Sequence, residues 1–186
     1  MTGQVDHLNT YAAIATLVEA VPEPSLGLPD SVFYYISRTT PLVNVDLLIR
    51  DENGRTLLSW RNDQYAGIGW HVPGGIVRFK ERLETRVEKV AEAEIGTAVR
   101  FDLTPIALHQ IIHEEHEIRG HFISLLYKCF VPGTFIPRNE GLSMENAGYL
   151  LWHDRCPANL LHIQEVYRKY IDDIRGEGAQ GCARLL

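Results

Sequence analysis

Cysteine is scarce in this 186-residue chain: Cys129, Cys156 and Cys182 are three in number and widely spaced. An odd, scattered set argues against a disulfide framework and against a structural zinc site. Long apolar runs are missing as well. No stretch is long enough to span a bilayer, and no basic segment leads into an apolar core. Positive charge is in deficit, with 18 Lys and Arg against 24 Asp and Glu and a net charge of −6. That balance argues against general affinity for nucleic-acid backbones or anionic membranes. The expectations are no nucleic-acid partner, no membrane partner and the cytoplasm as location. A nucleotide ligand is still allowed, because it needs only a local basic spot or a cation. There is no internal repeat, and a 45% hydrophobic content over this length suits one well-cored domain.

What is present centres on Trp70 to Thr97, WHVPGGIVRFKERLETRVEKVAEAEIGT. Trp70 and Val72 alternate with His71 as in a strand, and Pro73-Gly74-Gly75 reads as a turn. A helix is expected from about Glu81, with Gly96 as its left-handed C-terminal cap. At 100° per residue Leu83, Val87, Val90 and Ala91 share one stripe, and Glu81, Glu84, Glu88 and Glu92 lie opposite. Glu94 falls on the apolar stripe, where a carboxylate is costly to desolvate without a cation. Two placements are open for it. It frays outward at the last helical turn onto a Lys or Arg, or it holds a hard metal ion beside the Gly74-Gly75 turn.

The same stretch resembles the box of the Nudix hydrolases, GX5EX7REUXEEXGU with U an aliphatic residue. Gly75, Glu81, Glu94 and Gly96 stand at its spacing. Lys89 replaces its Arg, and Val90 and Ala93 replace two of its glutamates, so Glu94 alone remains at a ligand position. The flanks Thr40 to Ile49, Leu57 to Asn62 and Gly69 to Gly75 are similar to the GDP-mannose mannosyl hydrolase subfamily, which keeps a reduced box of this kind. The resemblance covers roughly Leu28 to Leu160. It implies a Nudix α/β/α sandwich with a mixed sheet between helices. The expected division is an N-terminal extension at 1–27, the Nudix domain at 28–175 and a C-terminal tail at 176–186.

The resemblance further implies Mg2+-dependent hydrolysis, with Mn2+ as a substitute, of a nucleoside diphosphate linked to another moiety such as a nucleotide sugar. Arg61 is expected on the diphosphate, where a guanidinium fork fits phosphate oxygens. Asp46 and His113 match ligand-side positions. Arg78, two residues past a position where the subfamily has Arg, and Lys89 complete the basic candidates for substrate contact. The metal set is expected to be Glu94, the Gly74 carbonyl and Glu145 from the loop before the last strand. The subfamily has its general base, a His, in that loop, but here Glu145, Asn146 and Ala147 occupy the region. Phe122 also replaces a Tyr that contacts the diphosphate. Attack at the sugar carbon is therefore expected to be weak, and attack at phosphorus to use water activated by Glu145 or another acidic group. His113, His116 and His153 are the other candidate bases. A second function class stays open: a catalytically weak domain that binds a nucleotide in a regulatory or assembly role. Tyr11 to Val21 is expected to form a helix that packs on the domain or on the second subunit of a homodimer.

Overall fold

Strand β1, Leu42–Arg50, has six apolar residues in nine and is buried from Val45 to Arg50 because both of its faces are covered. It runs parallel to β7, His121–Phe130, from Leu42↔Phe122 to Arg50↔Phe130. On its other side it pairs antiparallel with β2, Thr56–Asp63, through Ile49 and Arg50, and with β4, Gly74–Ile76, through Asn44, Val45 and Asp46. β3, Gly67–His71, and β8, Leu150–His153, both pair with β2. β5, Arg100–Phe101, and β6, Ala107–Ile112, pair with β7. The strands make one mixed eight-stranded sheet, in which the β1–β7 pair is parallel. This computed structural model describes residues 7–173, so the expected tail, with Cys182, lies outside the described residues.

Helices cover both faces. Helix α3, Leu83–Val90, lays Val87, Val90 and Ala91 against Val45, Leu47, Ile49 and Tyr127. On the opposite face Leu48, Leu58, Trp70 and Val72 meet Tyr167 and Ile171. Each fully buried aliphatic side chain contributes roughly 1.5–3 kcal/mol. The expected C-terminal helix is a 3-10 turn, His162–Tyr167, followed by α4, Arg168–Asp172. The buried guanidinium of Arg50 donates to the carbonyls of Tyr170, Ile171 and Asp173, which ties that end to the sheet. The expected α/β/α sandwich is the fold observed.

Local differences have physical reasons. The Gly74-Gly75 segment is a short strand, and neither glycine has positive φ. These glycines are needed for close approach: a Cβ on Gly74 would lie 2.1 Å from Asp46 Oδ1, and one on Gly75 2.7 Å from Val90 Cγ2. The hairpin at Asp51 to Gly54 forms as expected, with Asp51 Oδ1 accepting from the N–H groups of Asn53 (3.0 Å) and Arg55 (2.8 Å). Helix α1, His7–Ala20, exists, but residues 9–20 are exposed, so it does not pack on the domain. Helix α2, Asp30–Ser37, follows. Among the described residues no helix is long and apolar enough to cross a membrane.

Helix α3 begins two residues later than the pattern predicts because Glu81 is used as an anchor. Its carboxylate accepts from Arg78 N (3.0 Å), Arg86 Nε (2.7 Å) and Lys89 Nζ (3.0 Å). Burial pushes its pKa up, but these donors outweigh burial and hold it at about 2. The helix ends in a π-helical turn, Ala91–Ile95, whose carbonyls at Ala91 and Glu92 both meet the N–H of Gly96 at 3.1 Å. Gly96 has φ 74, the left-handed cap expected of it.

Candidate active site

A cleft of about 650 Å3 opens between the ends of β1 to β4, the π-helical turn and the 3-10 turn before α4. Asp46 sits in its wall, 3% exposed. It shares the short β1 face that approaches β4, where only a glycine leaves room for its carboxylate. Asn44 Nδ2 donates to its Oδ1 at 2.9 Å, and Tyr167 OH (2.7 Å) and Ser124 Oγ donate to its Oδ2. Burial pushes the Asp46 pKa up, and those three donors, with Arg61, offset part of that.

Glu94 reaches the same place from the other side. Its Oε1 accepts from the N–H of Gly74 at 3.3 Å, so Gly74 has one carboxylate on each side. Burial raises the Glu94 pKa to about 7, helped by the charge of Asp46 and opposed by the Gly74 N–H and by Arg61. The fraying placement does not occur: Glu94 lines the cleft and makes no ion pair among the described residues. A π-helical turn widens the backbone at this point, a feature often found at functional sites. Glu92, on the same turn, stays exposed and faces away.

Arg61 extends β2 beyond its expected end and lines the cleft, with Asp63 accepting from its Nε. His113 also lines it, and its buried Nε2 has no hydrogen-bond partner. Burial and the neighbouring His116 and His162 push its pKa down, so the ring is neutral at pH 7. Three expected residues are not brought here. Glu145 is exposed in its loop and does not line the cleft, which receives Arg138, Ala147 and Gly148 from that loop. Lys89 is committed to Glu81, and the guanidinium of Arg78 donates to the Leu26 carbonyl, so neither reaches the cleft wall. The contact observed for Gly74 is made by its N–H rather than by its carbonyl. His116 stacks near His113, with ring centroids 4.8 Å apart, and His153 packs edge-on against Trp70 at 4.5 Å; neither lines the cleft.

The structure adds residues that the sequence did not single out. His71 lines the cleft, 8% exposed, and its Nδ1–H donates to the Val72 carbonyl at 2.8 Å, which leaves Nε2 as an acceptor. Burial and Arg61 push its pKa down to about 4. Alternation from buried Trp70 could have marked His71 as facing the other side of the strand. Arg119 and Arg138 also line the cleft. Arg119 stood inside a dense charge run, which hid it.

The donor set suits Mg2+ as a shared ion. Asp46 and Glu94 supply hard oxygens, while no group of three His, Cys, Asp or Glu that could hold a metal is present among the described residues. Mg2+ commonly binds one or two carboxylates and completes its shell with waters and substrate phosphates.

No protein-family model matches the chain. It is 39% identical over 110 residues to the low-salt glycan biosynthesis protein Agl8 of Haloferax volcanii, covering 57% of this chain and 69% of that protein. Among solved structures it is similar to a MutT NUDIX hydrolase from Burkholderia pseudomallei, 25% identical with TM-score 0.57, over 70% of this chain and 97% of that one. A NUDIX-family hydrolase from Clostridium perfringens, 15% identical with TM-score 0.50, shares the fold over 71% of this chain and 96% of its own. With Gly75 on β4, Glu81 just before α3, Glu94 on its π-helical end and Gly96 as the cap, the chain belongs to one family with the Haloferax protein and, through its fold and these neighbours, to the Nudix hydrolase superfamily.

Proposed function

We propose that the protein is a Mg2+-dependent hydrolase of a nucleoside diphosphate linked to a second moiety, with nucleotide sugars as the leading class. The observation that carries this reading is the pair of carboxylates, Asp46 and Glu94, on either side of Gly74 in a cleft that also holds Arg61. The similarity to the Haloferax protein, named for glycan biosynthesis, supports a sugar-bearing substrate. Glu94, with Asp46 beside it, would hold the Mg2+, which when bound neutralises charge on the diphosphate.

The chain's own groups then have separate tasks. Arg61 binds phosphate oxygens and steadies the charge of the departing group, with Asp63 fixing its orientation. His113, on the cleft wall with its pKa pushed down by burial, is the imidazole placed to act as general base. The loop before β8 brings Arg138, Ala147 and Gly148 to the cleft and no side chain that could serve as a general base, which favours attack at phosphorus over attack at a sugar carbon.

A screen of nucleotide sugars and nucleoside diphosphates with Mg2+, reading out products, tests the activity. Hydrolysis in oxygen-18 water then tests the bond that breaks. Label in the phosphate product is expected, and label confined to the sugar would overturn phosphorus attack. Arg61→Lys keeps charge but loses the fork, so turnover should fall roughly tenfold or more. Unchanged kinetics in Arg61→Ala would remove Arg61 from the site.

A second reading, a catalytically weak domain that binds a nucleotide in a regulatory role, draws on the lack of a three-ligand acidic or imidazole cluster among the described residues. Binding of a nucleoside diphosphate with no turnover of any substrate in the screen would favour it.

A further inference from the structure

Two cations in the cleft, Arg119 and Arg138, have no carboxylate of their own among the described residues, and Arg119 is the one mounted on aromatic rings. Arg61 is paired by Asp63, whereas Arg119 forms no ion pair among the described residues. Its half-buried guanidinium lies over the rings of Tyr65, at 5.2 Å, and Phe33, at 5.8 Å. Aromatic faces attract a cation but leave its charge unneutralised. Burial and the nearby Arg61 push the Arg119 pKa down, against the pull of Asp63.

The mounting of this arginine is specific. Arg119 has φ 55, an uncommon conformation for a non-glycine residue. Its N–H donates to Ser37 Oγ at 3.3 Å, and the hydroxyls of Tyr65 and Tyr34 bond at 2.9 Å. Phe33, Tyr34 and Ser37 all belong to α2, so that helix is the wall that holds Arg119 toward the cleft.

The charges follow an order along the cleft. Asp46 and Glu94 meet at Gly74, Arg61 is held by Asp63 on β2, and Arg119 lies over Tyr65, two residues beyond Asp63. The charged side chains that act on Arg119 are Arg61 and Asp63. A diphosphate held by Arg61 and the two carboxylates with their cation therefore leaves Arg119 one step farther along.

We propose that Arg119 is a second anion anchor that reads a negatively charged group just beyond the diphosphate, so that the cleft prefers substrates whose attached moiety is itself anionic. The assignment rests on the reading above, in which Arg61 and the carboxylate pair take the diphosphate. It makes Arg119 a specificity residue, placed by α2 rather than by the Nudix box.

Inorganic pyrophosphate and inorganic tripolyphosphate, titrated by calorimetry with Mg2+ into the full chain, test it without requiring turnover. The unmodified protein should bind tripolyphosphate roughly tenfold more tightly than pyrophosphate, as expected for one added charge-assisted contact. Arg119→Gln should erase that advantage while leaving pyrophosphate affinity within about threefold, and Arg119→Lys should keep part of it. Preserved pyrophosphate binding also shows that the variant is folded. A tripolyphosphate advantage that survives in Arg119→Gln overturns the assignment, as does an equal loss for both anions, which would place Arg119 on the diphosphate itself. Failure of the unmodified protein to bind pyrophosphate overturns the diphosphate reading, and this one with it.

Discussion

Glu94→Gln should abolish Mg2+-dependent turnover and, in the same protein, raise the stability of the metal-free fold at pH 8. Both effects come from a carboxylate placed where only a cation justifies its charge. Burial lifts its pKa from 4.5 to about 7, so the folded state holds this proton more tightly than the unfolded chain does. Below about pH 4.5 the group is protonated in both states and adds no penalty. Between there and pH 7 the folded state binds more protons, so stability falls as pH rises, and above pH 7 the full penalty is present. The difference is worth on the order of 3 kcal/mol. Gln keeps an oxygen for the Gly74 N–H and carries no charge. Its advantage in urea unfolding should therefore be largest at pH 8, vanish toward pH 4 and shrink when Mg2+ is added to the parent. Turnover should drop at least about 100-fold, since even groups that only orient metal ligands are worth 10–100-fold. Equal Mg2+ affinity in parent and variant would remove Glu94 from the metal site, whatever happened to stability.

Much of the fold was legible because its signals are local. Val43, Val45 and the run Leu47 to Ile49 marked β1, Asn53-Gly54 marked the hairpin, and Gly96 marked the helix end. The departure of Glu94 from the charged face was visible by the same counting, but the π-helical turn that contains it was not. What was not legible depends on contacts between distant segments. β4 is three residues long and begins with two glycines, so it has no alternation to read; its existence follows from pairing with Asn44 to Asp46. Glu81 looked like a member of a solvated face, yet Arg86 and Lys89 close over it and only 6% of its side chain is exposed.

The candidate site divides along the same line. Asp46 was suspicious as the one charge in the interior of an apolar strand, but its partners Ser124 and Tyr167 are 78 and 121 residues away. Arg78 and Lys89 were chosen for position in a pattern, and each is drawn off by another acceptor, Arg78 by Leu26 O, 52 residues away, and Lys89 by Glu81. Arg119 was obscured for the opposite reason: its neighbours in sequence are charged, and its aromatic partners come from α2 and from Tyr65.

Gly74→Ala should be the most damaging single methyl group that can be added to this site. Ala is conformationally allowed there, because Gly74 does not have positive φ. By itself the change would stabilise the protein by roughly 0.4–1 kcal/mol through the unfolded chain. The folded state opposes it, since the new Cβ would lie 2.1 Å from Asp46 Oδ1 and 3.0 Å from the Val45 carbonyl oxygen. Asp46 cannot swing aside freely, because Asn44, Ser124 and Tyr167 hold it. Moving it would strand buried donors, at roughly 1–3 kcal/mol each. The net cost should exceed about 3 kcal/mol, the upper end for ordinary overpacking. Gly75→Ala meets a single methyl of Val90 at 2.7 Å, a side-chain atom that can yield, and should cost roughly 1–2 kcal/mol. The cause can be isolated by repeating Gly74→Ala in an Asp46→Ala background, where its cost should fall by at least about 1 kcal/mol. If urea unfolding gives the same cost in both backgrounds, the obstacle is the Val45 carbonyl, and Gly74 is glycine for the sake of the sheet rather than for the carboxylate beside it.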